Sequence, residues 1–405
     1  MFNARKLFAL AALASVSVLA SCSKDDGDNG GITPTDGLLP NNSVITGNIT
    51  QNTTLGKGFT YILQGGVHVK PGATLTIQEG VTVKSDANEP ATAYLLIEPG
   101  AKIEAEGTAA KPIVFTSGKA NPQPQDWGGI IVCGKAPINP GPTAASEMGA
   151  GVNYGGTDPN DNSGTLRYVR VEYTGKKQTT TKEHNGFTFE GVGAGTKVEY
   201  LSSYRGGDDG IEFFGGTVNA KYIVVYGAQD DMFDWTYGWK GNGQFWLGIQ
   251  ADDVADRGIE ADNNGSNNVA TPYSEPTLSN VTLVGSLTAK TGDDPTTATE
   301  TGKTRAIKLR EGTKAKLYNF VVYGFNSGVE VEHDRTLANL AEGSLFIKNS
   351  DIHNDKLWSL KPTAGTYTGE NLFASSAYAN ITGAAATPSY ITSKYIGTSA
   401  EGAFD

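Results

Sequence analysis

The sequence contains few of the residues that build disulfide frameworks or metal–histidine sites. Its 405 residues include 2 cysteines and 4 histidines, and the histidines are scattered without the spacing of metal ligands. It also shows no phosphate-binding glycine loop and no Ser-His-Asp arrangement. A disulfide-stapled domain, a zinc site and a serine hydrolase are therefore not indicated.

Positive charge is also scarce. Lys and Arg number 32 against 43 Asp and Glu, which gives a formal net charge of −11. An acidic surface argues against nucleic acid and against anionic lipid headgroups as partners. It is compatible with neutral glycans, or with anionic glycans that divalent cations bridge.

The one long apolar run lies near the N-terminus, from Leu7 to Ala20. It is too short for a membrane-spanning helix, which needs about 20 residues, and a charged pair, Arg5-Lys6, precedes it as in a signal peptide. It ends in Leu19-Ala20-Ser21-Cys22, which resembles the bacterial lipobox. Residues 1–21 are therefore predicted to be a lipoprotein signal peptide, with Cys22 as the lipidated residue. An ordinary secretory signal is the alternative.

The segment after Cys22 is acidic and lacks any apolar period. Residues 22–43 are predicted to form a flexible tether, and residues 23–28 (Ser-Lys-Asp-Asp-Gly-Asp) resemble the surface-export signal of Bacteroidetes lipoproteins. This resemblance implies a protein anchored in the outer membrane by its lipid alone and exposed on the cell surface. Retention on the periplasmic face is the alternative.

Glycine, proline and short alternating strands are abundant instead. The chain has 52 glycines and 17 prolines, and the segment 208–213 (Asp-Asp-Gly-Ile-Glu-Phe) recurs 22 residues later as 230–235 (Asp-Asp-Met-Phe-Asp-Trp). A strand period in the low twenties, without helical patterning, predicts a β-solenoid of stacked coils. The predicted fold is all-β, a single-stranded parallel β-helix over residues 44–360. Loop insertions are expected at 118–126, 136–163 and 285–304, and a C-terminal cap at 361–405.

Four segments carry a family resemblance. They are 69–75 (Val-Lys-Pro-Gly-Ala-Thr-Leu), 112–117 (Pro-Ile-Val-Phe-Thr-Ser), 127–131 (Trp-Gly-Gly-Ile-Ile) and 208–216 (Asp-Asp-Gly-Ile-Glu-Phe-Phe-Gly-Gly). Together they resemble a family of Bacteroidetes surface lipoproteins in the pectin-lyase-like superfamily, over about residues 45–360. The resemblance implies a right-handed parallel β-helix. It implies no single activity, because the superfamily includes pectate lyases, polygalacturonases, adhesins and inert scaffolds.

Stacking the repeats in register predicts an outward-facing charged column. Its members are Glu212, Asp234, Glu260, Lys308 and Glu330. Carboxylates on neighbouring strands, about 4.8 Å apart, repel one another, so the column requires a cation, a basic neighbour or a raised pKa. Three interpretations follow: a solvated ladder paired with Lys308, a calcium site at Glu212, Asp234 and Glu260, or a catalytic pair.

A second acidic cluster occupies the turns before these strands. Asp209, Asp230 and Asp231 resemble the acidic rungs of polygalacturonases, which implies an inverting hydrolase with these three as catalytic residues. Such an enzyme separates its acid and base by about 6.5–9.5 Å. The sequence departs from that family at 256–258 (Asp-Arg-Gly), where a histidine rung is expected. A calcium-dependent lyase with Arg205, Arg257, Lys308 or Arg310 as base is a further alternative.

Aromatic residues cluster beside the acidic column. Tyr237 and Trp239 lie in a glycine-rich turn and are predicted to be exposed, where flat rings beside carboxylates suit sugar recognition. The alternative is that the rings fill an enlarged coil. The function predicted from these features is polysaccharide or surface-ligand binding by Glu212, Asp234, Glu260, Tyr237, Trp239 and Lys308, with calcium as a possible aid. A polysaccharide-cleaving enzyme and a structural or adhesive envelope protein are the alternatives.

Overall fold

A computed structural model describes residues 37–88, 90–148, 151–179, 182–291, 300–301, 303–354, 356–364 and 375–384. The predicted signal peptide, Cys22 and most of the predicted tether lie outside these residues. Within them, no helix is long and apolar enough to cross a membrane.

The described chain is almost entirely strand. In order, its elements are β1 (Leu38–Leu39), β2 (Val44–Ile49), β3 (Thr53–Leu55), β4 (Thr60–Val69), β5 (Thr74–Ile77), β6 (Thr82–Ser85), β7 (Tyr94–Ile97), β8 (Lys102–Glu106), β9 (Ile113–Thr116), β10 (Ile130–Cys133), β11 (Ala144–Ala145), β12 (Asn153–Tyr154), β13 (Gly164–Glu172), β14 (Phe187–Glu190), β15 (Lys197–Tyr204), β16 (Ile211–Phe214), β17 (Asn219–Tyr226), β18 (Phe233–Thr236), β19 (Asn242–Ile249), β20 (Arg257–Ala261), β21 (Thr277–Val284), β22 (Lys290–Thr291), β23 (Glu300–Thr301), β24 (Arg305–Leu309), β25 (Ala315–Tyr323), β26 (Ser327–Glu332), α1 (Asp334–Ala341), β27 (Leu345–Lys348), β28 (Asp351–His353), β29 (Lys356–Lys361), a 3-10 helix (Ser376–Tyr378) and β30 (Ile381–Gly383).

These strands form a right-handed parallel β-helix, which confirms the predicted fold. Apart from the antiparallel pairs β11–β12 and β22–β23, the strands pair in parallel from coil to coil, so the coils build three walls. The first wall contains β1, β3, β5, β8, β27 and the N-terminal halves of the long strands from β13 to β25, and the second contains β6, β9, β28, β30 and the C-terminal halves of those strands. The third wall runs from the ends of β2 and β4 through β7, β10, β14, β16, β18, β20, β24 and β26 to β29.

The core lies inside the coils. Strand residues alternate between the inside and the outside of the coil, so Ile211, Phe213, Phe233 and Trp235 are buried. Inward rings stack from coil to coil, as the 5.4 Å between the ring centroids of Phe189 and Phe213 shows. A continuous file of apolar side chains therefore supports the third wall from within.

The corner between the first and second walls is one residue wide. At Tyr168, Tyr200, Tyr222 and Phe245 the backbone has φ of 51°, 54°, 60° and 59°, which turns the strand without a loop. This left-handed conformation is unfavourable for bulky residues, and the stacked rings offset part of its cost. Their centroids lie 4.3, 4.4 and 5.2 Å apart.

The loop at 136–163 folds back over the outside of the third wall. It contains the short antiparallel pair β11–β12 and covers a second, smaller core that includes Ile131, Cys133, Met148 and Tyr154. Cys133 is buried, as predicted, and its Sγ lies 3.1 Å from Glu190 Oε2. The loop therefore removes part of the outer face of the β-helix from water.

One helix interrupts the repeat. The eight residues of α1 follow β26, where the sequence shows only strand patterning on either side. Its Leu337 and Leu340 pack on the core, and Asn339 Nδ2 donates hydrogen bonds to the carbonyls of Gly312 and Thr313. The helix was not predicted, because an eight-residue helix of about two turns resembles any other interruption between coils in the sequence.

Candidate functional site

The strand register places the predicted charged residues in one outward column. Glu212 pairs with Asp234, Asp234 with Glu260, and Glu260 with Lys308 across successive strands of the third wall. The column is not solvated, since Glu212 is 9% and Glu260 7% exposed. The interpretation as a screened, water-exposed ladder is therefore wrong for this part of the wall.

An open cleft of about 270 Å³ lies over the column. Strands β16 and β18 contribute Glu212, Phe214, Asp234 and Thr236, and the segments that follow the strands contribute Tyr237, Asp262, Gly265, Ser266, Arg310 and Glu311. The lining therefore combines several carboxylates with one guanidinium group and an aromatic ring. Small-ligand sites are usually lined mainly by apolar side chains with a few polar groups, so this cleft is unusually polar.

Hydrogen bonds between two loops fix one side of the cleft. Asn139 Nδ2 donates to Asn263 Oδ1 at 2.9 Å and to the Pro272 carbonyl at 3.0 Å, and Asn264 Nδ2 donates to Asn139 Oδ1 at 2.9 Å. Asn139 belongs to the 136–163 loop, whereas its partners follow β20. The bonds join segments from distant coils beside Tyr237, so the cleft is largely formed before any ligand binds.

Cations compensate the acids at the C-terminal side of the cleft. Arg310 contacts Glu260 Oε2 at 2.5 Å and Asp262 Oδ1 at 2.7 Å. Arg257 lies 3.1 Å from Asp231 and 3.2 Å from Glu260 Oε1. Lys308 Nζ reaches Glu260 Oε1 at 3.9 Å, which is the pairing that one interpretation of the sequence predicted.

The N-terminal side of the cleft has no such compensation. Glu212 Oε2 accepts a hydrogen bond of 2.6 Å from Asn185 Nδ2, while Asp234 Oδ1 is buried without a hydrogen-bond partner. Among the described residues, no Lys or Arg forms an ion pair with Glu212 or Asp234. Glu212 is thus buried with one amide donor, whereas Asp234 is partly exposed and has one buried oxygen without a hydrogen-bond partner among the described residues.

Burial and mutual repulsion raise the pKa of these acids. Burial, then the neighbouring Glu147 and Asp234, raise the pKa of Glu212 well above its usual value. Burial, then Glu260, do the same for the pKa of Asp234. Burial also raises the pKa of Glu147 to about 8 and, despite Arg310, that of Asp262 to about 8.

The predicted catalytic residues do not line this cleft. Asp231 is buried and committed to Arg257, and Asp209 Oδ1 accepts the Asp231 backbone N–H at 2.9 Å. Carboxylate oxygens of Asp208, Asp209 and Asp230 lie within 4.8 Å of one another. An inverting hydrolase separates its two carboxyl groups by roughly 6.5–9.5 Å, and the catalytic role of Asp209, Asp230 and Asp231 stays a prediction.

Of the two predicted ligand-stacking rings, Tyr237 lines the cleft and Trp239 does not. The prediction that Trp239 is exposed is wrong: its indole is fully buried, stacks on Phe213 at 4.1 Å and donates to the Val218 carbonyl. The nearby glycines explain the error. A Cβ at Gly241 would lie 2.5 Å from Trp239 Nε1, so glycine here makes room for an indole inside the coil.

The acids form metal-competent groups that differ from the predicted trio. Oxygens of Asp209, Glu212 and Asp234 lie within 4.8 Å of one another, as do those of Asp231, Asp234 and Glu260. Glu212 and Glu260 therefore belong to separate groups that share Asp234. Either group supplies three carboxylates toward the roughly six to eight oxygens that Ca²⁺ takes.

Several site residues were absent from the sequence-based predictions. Glu147 comes from the 136–163 loop, whose sequence has no period to position it, and Asn185 precedes β14 in a stretch without repeat character. Glu190 could have been found, because it stands one coil before Phe214 in the register. Its buried carboxylate accepts hydrogen bonds from Ser146 Oγ and the Glu147 backbone N–H, which hold the loop against the wall.

Comparison with known families agrees with this architecture. Residues 47–394 match the family model described as a pectate-lyase-like beta helix domain. The chain belongs to this family. Neither curated proteins nor solved structures gave a significant match. Membership supports a function related to polysaccharides and leaves binding and cleavage undistinguished.

Proposed function

We propose that this pectate-lyase-like protein binds a polysaccharide in the cleft over Glu212 and Asp234. The observation that carries the proposal is the cleft itself, in which buried carboxylates lie beside the ring of Tyr237. Carboxylate oxygens accept hydrogen bonds from sugar hydroxyls, and an aromatic ring offers an apolar surface to the C–H face of a sugar. Ser266 adds a hydroxyl to the same lining.

The binding test uses the chain without residues 1–21, screened on a glycan array and then titrated by calorimetry. Tyr237→Ala is expected to weaken binding of the selected glycan by about tenfold, or ~1.4 kcal/mol. Tyr318→Ala is the matched control, because Tyr318 is half-buried on β25 and does not line the cleft. Equal affinity of both variants and the parent would contradict the proposed cleft.

Calcium is proposed as an aid to binding at Asp209, Glu212 and Asp234. A divalent cation would offset the repulsion among three carboxylates whose oxygens lie within 4.8 Å. Calcium should then raise the melting temperature, and Glu212→Gln should reduce that shift. An unchanged melting temperature with calcium and with a chelator would remove the metal from the proposal.

A polysaccharide-cleaving activity is the second candidate, moved from the predicted aspartates to Glu212 and Asp234. These two have carboxylate oxygens within 4.8 Å, close to the roughly 5–5.5 Å of retaining glycosidases, and burial favours a protonated acid. The assay is release of reducing ends or unsaturated products from a polysaccharide panel. Cleavage that Glu212→Gln abolishes would establish the activity, and no cleavage of any substrate would remove it.

The proposed location is the outer membrane surface, with Cys22 as the lipid attachment site. The lipobox-like Leu19-Ala20-Ser21-Cys22 and the acidic residues after it support this location. Cys22→Ala should abolish metabolic labelling with a fatty acid and release the protein from the membrane fraction. Protease sensitivity in intact cells then distinguishes the outer surface from the periplasmic face.

A further inference from the structure

We propose that the cleft recognises a glycan with free amino groups, and that Glu212 and Asp234 bind the ammonium group. This inference rests on the proposed polysaccharide binding and assigns its ligand class. The inference excludes a polyuronate without a bridging cation as the ligand of this cleft.

The charge of the lining is the first step. Four of the ten lining residues are acids, Glu212, Asp234, Asp262 and Glu311, and the one cation is Arg310. The guanidinium of Arg310 already contacts Glu260 and Asp262. A ligand therefore meets more acids than bases, and the ionised forms of these acids repel anionic groups and attract cationic ones.

The second step is the unfilled bonding capacity of the two central acids. Glu212 is more than nine-tenths buried and has one amide donor, from Asn185. Asp234 lines the cleft and is partly exposed, and its Oδ1 is buried with no hydrogen-bond partner among the described residues. Withdrawing a carboxylate from water without a partner is costly, so a donor that enters the cleft gains more here than at an exposed acid.

The third step is geometric. An ammonium group donates up to three hydrogen bonds and accepts none. Oxygens of Glu212 and Asp234 lie within 4.8 Å of each other, so one nitrogen between them can approach both at about 2.8 Å. Tyr237 lies on the same cleft and can contact the ring that carries the amine. An N-acetylated sugar has one amide N–H and no charge, and cannot make both contacts.

Several charged groups face the two acids from neighbouring elements. They are Glu147 on the loop, Asp208, Asp209 and Asp231 in the turns, Glu260 on β20, and Asp262 and Arg310 beyond the strand ends. Most are acids whose protonation weakens the attraction for a cation. Affinity for the amine should therefore rise with pH until the amine itself loses its proton, whereas affinity for a polyuronate should fall.

The experiment compares two tetrasaccharides of the same sugar, glucosamine and N-acetylglucosamine, with tetragalacturonate as a third ligand. Calorimetry with the chain lacking residues 1–21 is run in a chelator, at a pH at which the amines are charged. The expected result is at least tenfold tighter binding of the glucosamine oligomer. Glu212→Gln and Asp234→Asn should each reduce this preference, while Glu106→Gln, an exposed acid on β8, should keep it.

The outcomes separate this inference from the proposed function. Equal binding of the amino and acetylated oligomers, or tighter binding of tetragalacturonate in chelator, overturns the amine and leaves glycan binding intact. Failure of every glycan to bind overturns the proposed function and the inference with it. A Glu212→Gln variant that melts at or above the temperature of the parent excludes unfolding as the cause of a lost preference.

Discussion

The third wall uses acidic residues in opposite ways at the cleft, midway along the wall, and at its C-terminal end. At the C-terminal end, Glu330 and Glu332 share Lys361, at 2.8 and 2.9 Å, and each has a second cation, Arg305 at 3.3 Å for Glu330 and Lys308 at 3.4 Å for Glu332. At the cleft, Glu212 has a single amide donor. Glu212 and Glu330 occupy the same register position of the repeat. Glu330 has cations within ion-pair distance and is a structural acid, whereas Glu212 forms no ion pair with a described Lys or Arg and is a candidate for binding a ligand.

Arg257 lies between the cleft and the compensated C-terminal end of the third wall. Its guanidinium contacts Asp230, Asp231 and Asp256 as well as Glu260. The strong field of these acids raises the pKa of Arg257 above its usual value even though burial opposes it. Together with Arg310 and Lys308, Arg257 thus compensates the acids between the cleft and the C-terminal end of the wall.

The largest expected loss of stability comes from replacing Arg257. Arg257→Gln leaves several buried carboxylates without their shared cation, and breaking a buried pair from one side costs about 3–5 kcal/mol. Denaturant unfolding measures the loss. Arg205→Gln is the control, because its partner Asp253 is 49% exposed and such pairs contribute about 1 kcal/mol or less. Equal losses in both variants would erase the difference between buried and exposed pairs.

An intermediate effect on stability is expected from a change of pH, because the acids around the cleft have raised pKa values. Raised folded-state pKa values mean that the folded protein binds protons more tightly than the unfolded chain. The stability contribution of these acids is then full below their unfolded pKa of about 4.3 and is lost as pH rises through the folded values, about 8 for Glu147 and Asp262. The free energy of unfolding should therefore fall between roughly pH 5 and pH 9.

Glu212→Gln sharpens this test. It removes one repelling charge with little change in shape, so it should stabilise the fold by ~1–2 kcal/mol near pH 9 and flatten the pH profile. Glu106→Gln should leave the profile unchanged, because Glu106 is exposed. A parent profile that rises with pH over this range would show that the cleft acids are ionised and compensated.

The fold and the column were predictable because both follow from strand periodicity. The 22-residue offset between Asp209 and Asp231 matches the observed pairing of Ile211 with Phe233. What surrounds the column was not predictable. Glu147 reaches the site from an aperiodic loop, and the inward position of Trp239 depends on the space that Gly241, two residues further along the chain, leaves beside the indole. Periodicity specifies which wall a residue occupies, whereas loops decide whether that wall is open to water.

The smallest effect on stability is expected at the C-terminal end of the third wall, where lysines compensate the acids. Lys361 and Lys308 lower the pKa of Glu332 to about 2 despite its burial, so its stabilisation is present above the unfolded pKa of about 4.3 and is lost as pH falls through about 2. Lys361 is 48% exposed, and solvent screening limits the contribution to about 1 kcal/mol or less near pH 7.

Glu332→Gln should therefore destabilise the fold slightly near neutral pH and have no effect near pH 2. Its sign is opposite to that of Glu212→Gln, although both replace a glutamate on the outer face of the same wall by its amide. Paired denaturant titrations of the two variants measure the contrast directly. Stabilisation by Glu332→Gln at neutral pH would mean that the lysines do not compensate the charge of Glu332. The cleft and the C-terminal end of the wall would then be electrostatically alike.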